Sequence, residues 1–316
     1  MGIVAIAGGI GGAKLALGLY RAMPPEDVTF VVNTGDDEVF HGLHISPDLD
    51  TVMYTLAGLA NQQTGWGITE DTFNAREMLG YYGAETWFGL GDRDLATHIE
   101  RTRLLAKGFT LTEVTRHLCL KLQVLSSLLP MSDQPVRTIV KTPDQTLSFQ
   151  QYFVKLQCQP VVRNIIFEGA DDASMSTSLK YALDTGRAIV FCPSNPVVSI
   201  GPILAIREVR ERLESFQGPR VAVSPIVGGQ ALKGPAAKML RELGEEVSSL
   251  GVARRLSKVC DILVIDAQDA NLAPSIRRTG LEPVILNTIM ETEEDKVRLA
   301  KDILNVIGEK VDNYDA

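Results

Sequence analysis

The stretch Ile3-Val4-Ala5-Ile6-Ala7-Gly8-Gly9-Ile10-Gly11-Gly12-Ala13-Lys14 decides the fold. Its apolar, β-branched start reads as a buried strand, and the glycines read as a turn. A helical pattern runs from Ala13 to Met23 and stops at Pro24-Pro25; Val28 to Asn33 reads as a second buried strand. Strand, glycine turn, helix and strand within about thirty residues make a βαβ unit with a parallel strand pair.

Outward from this unit, residues from about 50 to 130 look helical. Asp50 is placed to cap a helix over Thr51 to Leu59. Helical patterns follow over Asp71 to Tyr81, Leu95 to Lys107 and Leu111 to Lys121. Short strands at Val136 to Val140, Thr146 to Gln151 and Val161 to Glu168 mark a small antiparallel insertion over about 135 to 168. Parallel texture returns with strands at Ala188 to Cys192, Arg220 to Ser224, Ile262 to Asp266 and Val284 to Leu286, separated by helices. The expectation for residues 1–316 is one α/β unit. It is a Rossmann-like, doubly wound, mostly parallel sheet with a helical insertion and a small antiparallel β insertion.

Composition narrows the partners. The chain has 316 residues and a formal net charge of -8, which disfavours nucleic acid and anionic membrane surfaces. No apolar run approaches the roughly 20 residues of a membrane span, and the N-terminus has no basic region of a signal peptide. Cys119, Cys158, Cys192 and Cys260 are widely spaced, as reduced thiols of a cytoplasmic protein are.

Four constellations carry chemistry. In the first, Gly9, Gly11 and Gly12 let backbone amides approach a phosphate at a helix N-terminus, with Lys14 close by. The spacing is neither a Walker A loop nor a clean dinucleotide fingerprint, because Lys14 stands where the third glycine belongs. The second is acidic. Asn33-Thr34-Gly35-Asp36-Asp37 leaves the second strand, and Ser46-Pro47-Asp48-Leu49-Asp50-Thr51 follows. Carboxylates at the C-terminal ends of parallel strands suit a hard cation, so Asp36, Asp37, Asp48 and Asp50 are candidate Mg²⁺ ligands. Alternatively, Asp50 is a plain helix cap, and Asp50→Asn then costs less than about 1 kcal/mol.

The third is Gly89-Leu90-Gly91-Asp92-Arg93-Asp94, with His98 one helical turn on. Arg93 offers a planar fork to a phosphate or carboxylate; Asp94 is a candidate substrate contact or a plain helix cap, and His98 reads more as a structural hydrogen-bonder than as a catalyst. Trp66, between Gly65 and Gly67, is a platform for a flat ring or a packed side chain. The fourth comprises the loops Pro193-Ser194-Asn195-Pro196 and Ser224-Pro225-Ile226-Val227-Gly228-Gly229, with Lys233-Gly234-Pro235 after the second. Ser194, Asn195, Ser224 and Gly228 there can meet a nucleotide, and Pro235 suits the first position of a helix.

These segments, in this order, resemble one family: 2-phospho-L-lactate transferases of deazaflavin coenzyme biosynthesis. The matching pieces include Gly8–Lys14, Val31–Asp37, Ser46–Thr51, Gly65–Ile68, Gly89–His98, Leu128–Asp133, Pro193–Ile203, Ala222–Gly229 and Lys233–Lys238. The resemblance implies a Rossmann-like fold, a Mg²⁺ requirement and often a homodimer. It also implies transfer of a 2-phospholactyl or phosphoenolpyruvyl group from a GDP-linked donor to the ribityl hydroxyl of 7,8-didemethyl-8-hydroxy-5-deazariboflavin, with release of GMP. On this reading Gly9, Gly11, Gly12 and Lys14 bind the diphosphate, and Ser194 and Asn195 read guanine. Asp48, Asp50 and Arg93 serve the reaction centre, and Trp66 walls the deazaflavin. Two rivals are a non-catalytic sugar-nucleotide-binding protein of a related family and an NAD oxidoreductase.

Overall fold

The computed structural model describes residues 2–231 and 234–314. At its centre is a seven-stranded, all-parallel sheet. Numbered along the chain, its strands are β1 (Ile3–Ala7), β2 (Val28–Val32), β3 (Ser127–Pro130), β4 (Ala188–Phe191), β5 (Arg220–Val223), β6 (Ile262–Asp266) and β7 (Glu282–Leu286). Their spatial order is β3-β2-β1-β4-β5-β6-β7. The chain winds one way from β1 to β3, crosses back to β4, and winds the other way to β7. The reversal lies between β1 and β4, so the ligand crevice belongs at their C-terminal ends.

Period-two alternation explains why both sheet faces are covered. Ile3, Ala5 and Ala7 enter one buried apolar cluster, and Val4 and Ile6 enter another. A strand buried on both faces has no polar face to show, hence the unbroken apolar run that marks β1 in the sequence.

Helix α1 (Gly9–Ala22) starts at the glycines themselves, not at Ala13. Between β2 and β3 lie helices α2 (Pro47–Leu56), α3 (Asn74–Tyr81), α4 (Asp92–Leu105) and α5 (Leu111–Lys121). A hairpin of Glu38–Phe40 and Leu43–Ile45 precedes them. Its three-residue strands are too short to show a period in sequence. Strand β3 falls inside the stretch expected to be helical. It holds only four residues and ends in Pro130, and pairing with Thr29 to Val32 makes it a strand. The proline is tolerated because β3 is at the sheet edge. The small antiparallel sheet has Arg137–Lys141 between Thr146–Ser148 and Asn164–Glu168, as expected.

Two cap expectations are corrected. Helix α2 begins with Pro47 after Ser46, so Asp50 lies inside the helix and caps nothing. Helix α4 follows Gly91, so Asp94 is likewise within its first turn. Pro235 precedes the helix Ala236–Glu242 at the cap rather than the first position. Lys233 lies outside the described residues.

Candidate functional site

The first turn of α1 is Gly9 to Gly12, so the glycine segment is a helix N-terminus rather than a separate loop. Gly8 at the cap supplies no side chain, and no acidic residue occupies the first turn. These amides therefore carry the partial positive charge that attracts a phosphate. Gly9 has φ +63°, which disfavours any side chain there. A β-carbon on Gly11 would stand 2.4 Å from the Pro193 carbonyl, and one on Gly12 would stand 2.6 Å from the Ser194 hydroxyl. Gly8 N–H donates to Ser194 Oγ at 3.1 Å. The loop after β4 is thus pressed directly onto the turn after β1, across the sheet's reversal point.

Asn33 directly follows β2 and is fully buried. Its Nδ2 donates to Asp36 Oδ1 at 2.7 Å and to Asp48 Oδ2 at 3.0 Å. Its Oδ1 accepts from Gly35 N–H at 2.8 Å, which folds the Asn33–Asp36 turn back on the strand. Asp48 also receives a hydrogen bond from the Gly9 backbone. Both carboxylates are buried, with consequences for their protons. Burial pushes the Asp48 carboxyl up to about 6, against the hydrogen bonds from Asn33 and Gly9. Burial, then the neighbouring charges of Asp48 and Asp37, pushes Asp36 well above the usual carboxylate range. Asp37 turns the other way: its Oδ2 takes His44 Nε2 at 3.0 Å and Ser46 Oγ at 2.7 Å, while its Oδ1 is buried without a partner. A cavity of about 220 Å³ opens beside this turn, lined partly by Asp36, Asp37, Arg137, Thr138 and Gln150.

Asp50 is two residues from Asp48 but faces α4. Arg101, 1% exposed, holds it through both terminal nitrogens, one at 3.1 Å. His98 Nδ1 lies 3.7 Å from Asp50, and His98 Nε2 lies 3.2 Å from Asp94 Oδ1. Tyr54 of α2 donates to Asp94 at 2.8 Å. Asp50, Asp94 and His98 bring three potential metal-ligand atoms within 4.8 Å of one another. The Arg101 guanidinium already supplies a positive charge to that cluster. Asp50 therefore belongs to the α2–α4 contact, while Asp48 faces the glycine turn.

The remaining expected residues divide between rim and interior. Trp66 is half-exposed and lies over Gly89, and Gly65 packs on the Ile10 side chain of the glycine turn. The indole is thus at the crevice rim rather than packed away. Arg93 is exposed, with Nη1 donating to the Thr69 carbonyl at 3.2 Å. Asp71 accepts from the Arg93 and Asp94 amides and ties this loop to the start of α4. Lys14 donates to the Met290 carbonyl at 2.6 Å, beyond β7. Asn195 spends its Oδ1 on the Val197 amide at 2.9 Å and shapes its own turn. Ser224 bonds Ile226 and Ser249, and the Gly228 amide bonds Asp269, so both stabilise the hairpin of Ile226–Val227 and Gln230–Ala231 that follows β5.

Sequence reading missed Arg101, Tyr54, His44 and Ser46. Arg101 sits one turn beyond His98 on the inner face of α4, and only that helical spacing hints at it.

A parallel sheet whose reversal point joins a glycine-lined helix N-terminus to buried carboxylates places the chain in the Rossmann-like class of α/β folds. Within that class the chain belongs to the 2-phospho-L-lactate transferase CofD family, whose model matches residues 3–304. It is 41% identical to a phosphoenolpyruvate transferase of Streptomyces griseus over 98% of this chain and 99% of that protein. It is 37% identical to a 2-phospho-L-lactate transferase of Methanosarcina mazei over 95% of this chain and 98% of that protein. Among solved structures, a UPF0052 family protein from Bacillus halodurans superposes with a TM-score of 0.63 at 12% identity. That match covers 96% of this chain and 100% of that one, and it bears on the fold alone. Among the described residues, no helix is long and apolar enough to cross a membrane.

Proposed function

We propose that this protein is a Mg²⁺-dependent phosphotransferase moving a phosphoenolpyruvyl or 2-phospholactyl group. The donor is the GDP-linked ester, the acceptor is the ribityl hydroxyl of the deazaflavin, and GMP leaves. Relatives named phosphoenolpyruvate transferase share 38–41% identity with this chain, against 36–37% for relatives named 2-phospho-L-lactate transferase. This favours the phosphoenolpyruvyl form.

One observation carries the reading: Asp36 and Asp48, both buried and both with raised proton affinity, meet at Asn33 beside the amides of Gly8 and Gly9. An anion-binding helix end facing two carboxylates repels its own ligand unless a cation lies between them. Two hard carboxylate oxygens beside a phosphate site suit magnesium, which one or two carboxylates plus substrate phosphates usually hold, so Asp36 and Asp48 would be its protein ligands. Bound there, the ion would neutralise diphosphate charge. Asp50 drops out of the ligand set because Arg101 holds it.

The chain's own residues do the rest by positioning. With the Gly9 amide given to Asp48, the amides of Ile10 to Gly12 cradle the diphosphate, and Ser194 fixes the β4 loop against them. Asn33 orients Asp48, which would hold the ion and position the attacking hydroxyl beside it. Trp66 stacks on the deazaflavin, and Arg93 meets the migrating phosphate or the acceptor. The protein acts on small molecules in the cytoplasm, as a homodimer. Incubation with the deazaflavin, Mg²⁺ and each guanylylated donor tests the reading. GMP release with a new phosphodiester is the expected result, and no GMP from either donor ends the proposal.

A further inference from the structure

We propose that Arg101 is a positioning residue for this transfer: a built-in cation that locks the first turn of α2, and with it Asp48, against α4. The inference rests on the transferase reading above. That first turn lacks the usual anchor. Ser46, at its cap, makes no side-chain cap bond and gives its hydroxyl to Asp37 instead. Pro47 brings no N–H. The turn is therefore held from two sides by carboxylates, Asp48 to Asn33 and Gly9, and Asp50 to Arg101.

The second hold is the stiffer. Arg101 is 1% exposed and its fork engages both Asp50 oxygens. His98 fills the space between Asp50 and Asp94, and Tyr54 binds α2 to Asp94 one turn further on. Asp94 and Arg93 amides in turn anchor on Asp71, in the loop that carries Trp66. One buried strut thus sets the distance between the carboxylate beside the phosphate turn and the aromatic rim. Arg101 touches neither Asp48 nor the glycine amides; it acts through Asp50.

The test replaces the ion pair by apolar groups in Asp50→Leu/Arg101→Met, a change that buried pairs often tolerate without unfolding. Melting temperature by circular dichroism, kcat, and KM for the GDP-linked donor are measured together. The expected result is a retained melt, a kcat fall of roughly 10- to 100-fold and a donor KM changed less than about threefold. In Arg101→Lys, a single ammonium cannot reproduce the fork, and kcat falls between the two. Turnover of the folded double variant within about twofold of wild type overturns the proposal. So does a kcat loss across both variants that merely tracks melting temperature. If the double variant does not fold, Arg101→Lys decides: a wild-type kcat overturns the proposal, and a kcat loss at unchanged donor KM and melt supports it. Failure of the wild type to release GMP is a separate outcome, which removes the transferase reading itself.

Discussion

Asp50 and Arg101, 51 residues apart in sequence, form a bidentate ion pair sealed from solvent. Asp50→Asn therefore does more than trim a helix cap. It leaves the guanidinium buried without its counter-charge, and stability falls by about 3–5 kcal/mol rather than less than about 1. Urea titration of the two proteins measures the difference. A loss under about 1 kcal/mol would show that Arg101 finds another partner.

Asn33 holds Asp36 and Asp48 with one amide, so Asn33→Leu leaves two buried carboxylates facing each other without the donor that joins them. A loss of about 1–3 kcal/mol in stability and at least about 100-fold in kcat is expected. Thermal melts and GMP release read the two effects. Wild-type turnover in the variant removes Asn33 from the site.

The pH dependence follows from Asp48. Its folded value of about 6 lies above the 3.8 of an ordinary aspartate, so the native state binds the proton more tightly than the unfolded state. Its contribution is fully present below about pH 4 and is lost as pH rises through about 6. For this one group the loss is on the order of 3 kcal/mol in the metal-free protein, and Asp36 shifts in the same direction. Magnesium should raise the melting temperature increasingly over that interval. A melting temperature that is flat from pH 4 to about 7 without metal contradicts the assignment.

Gly11→Ala places a methyl against the Pro193 carbonyl, a backbone atom that cannot rotate away. The β4 loop must shift, at about 1–3 kcal/mol, and GDP affinity measured by calorimetry should fall about tenfold or more. Unchanged GDP affinity would separate this loop from the nucleotide site.

Trp66 is half-exposed, so Trp66→Leu should alter stability by no more than about 0.5 kcal/mol. Loss of a stacking surface worth about 1 kcal/mol or more raises KM for the deazaflavin roughly five- to tenfold and leaves GDP binding unchanged. Equal KM values in steady-state kinetics would place the deazaflavin elsewhere.

Much of this site is legible in the chain because its signals are local. The glycine run, the acidic stretch after β2 and the loop after β4 each stand at a strand end, and sheet topology alone sends parallel strand ends to one side. Partners chosen across long separations leave no such trace. Nothing near Asp50 announces Arg101, and nothing near Ser127 to Pro130 announces a strand.

Read alone, the residues determined the parallel α/β framework, because an apolar run of strand length followed by glycines and a helical period has few other solutions. They also set the glycine run, the acidic stretch and the Pro193–Pro196 loop at strand ends. Only the tertiary structure decided how the neighbours Asp48 and Asp50 divide their work. Two positions on a helix are about 200° apart, so one carboxylate meets the glycine turn while the other meets α4, and each takes its role from the side chains it finds there.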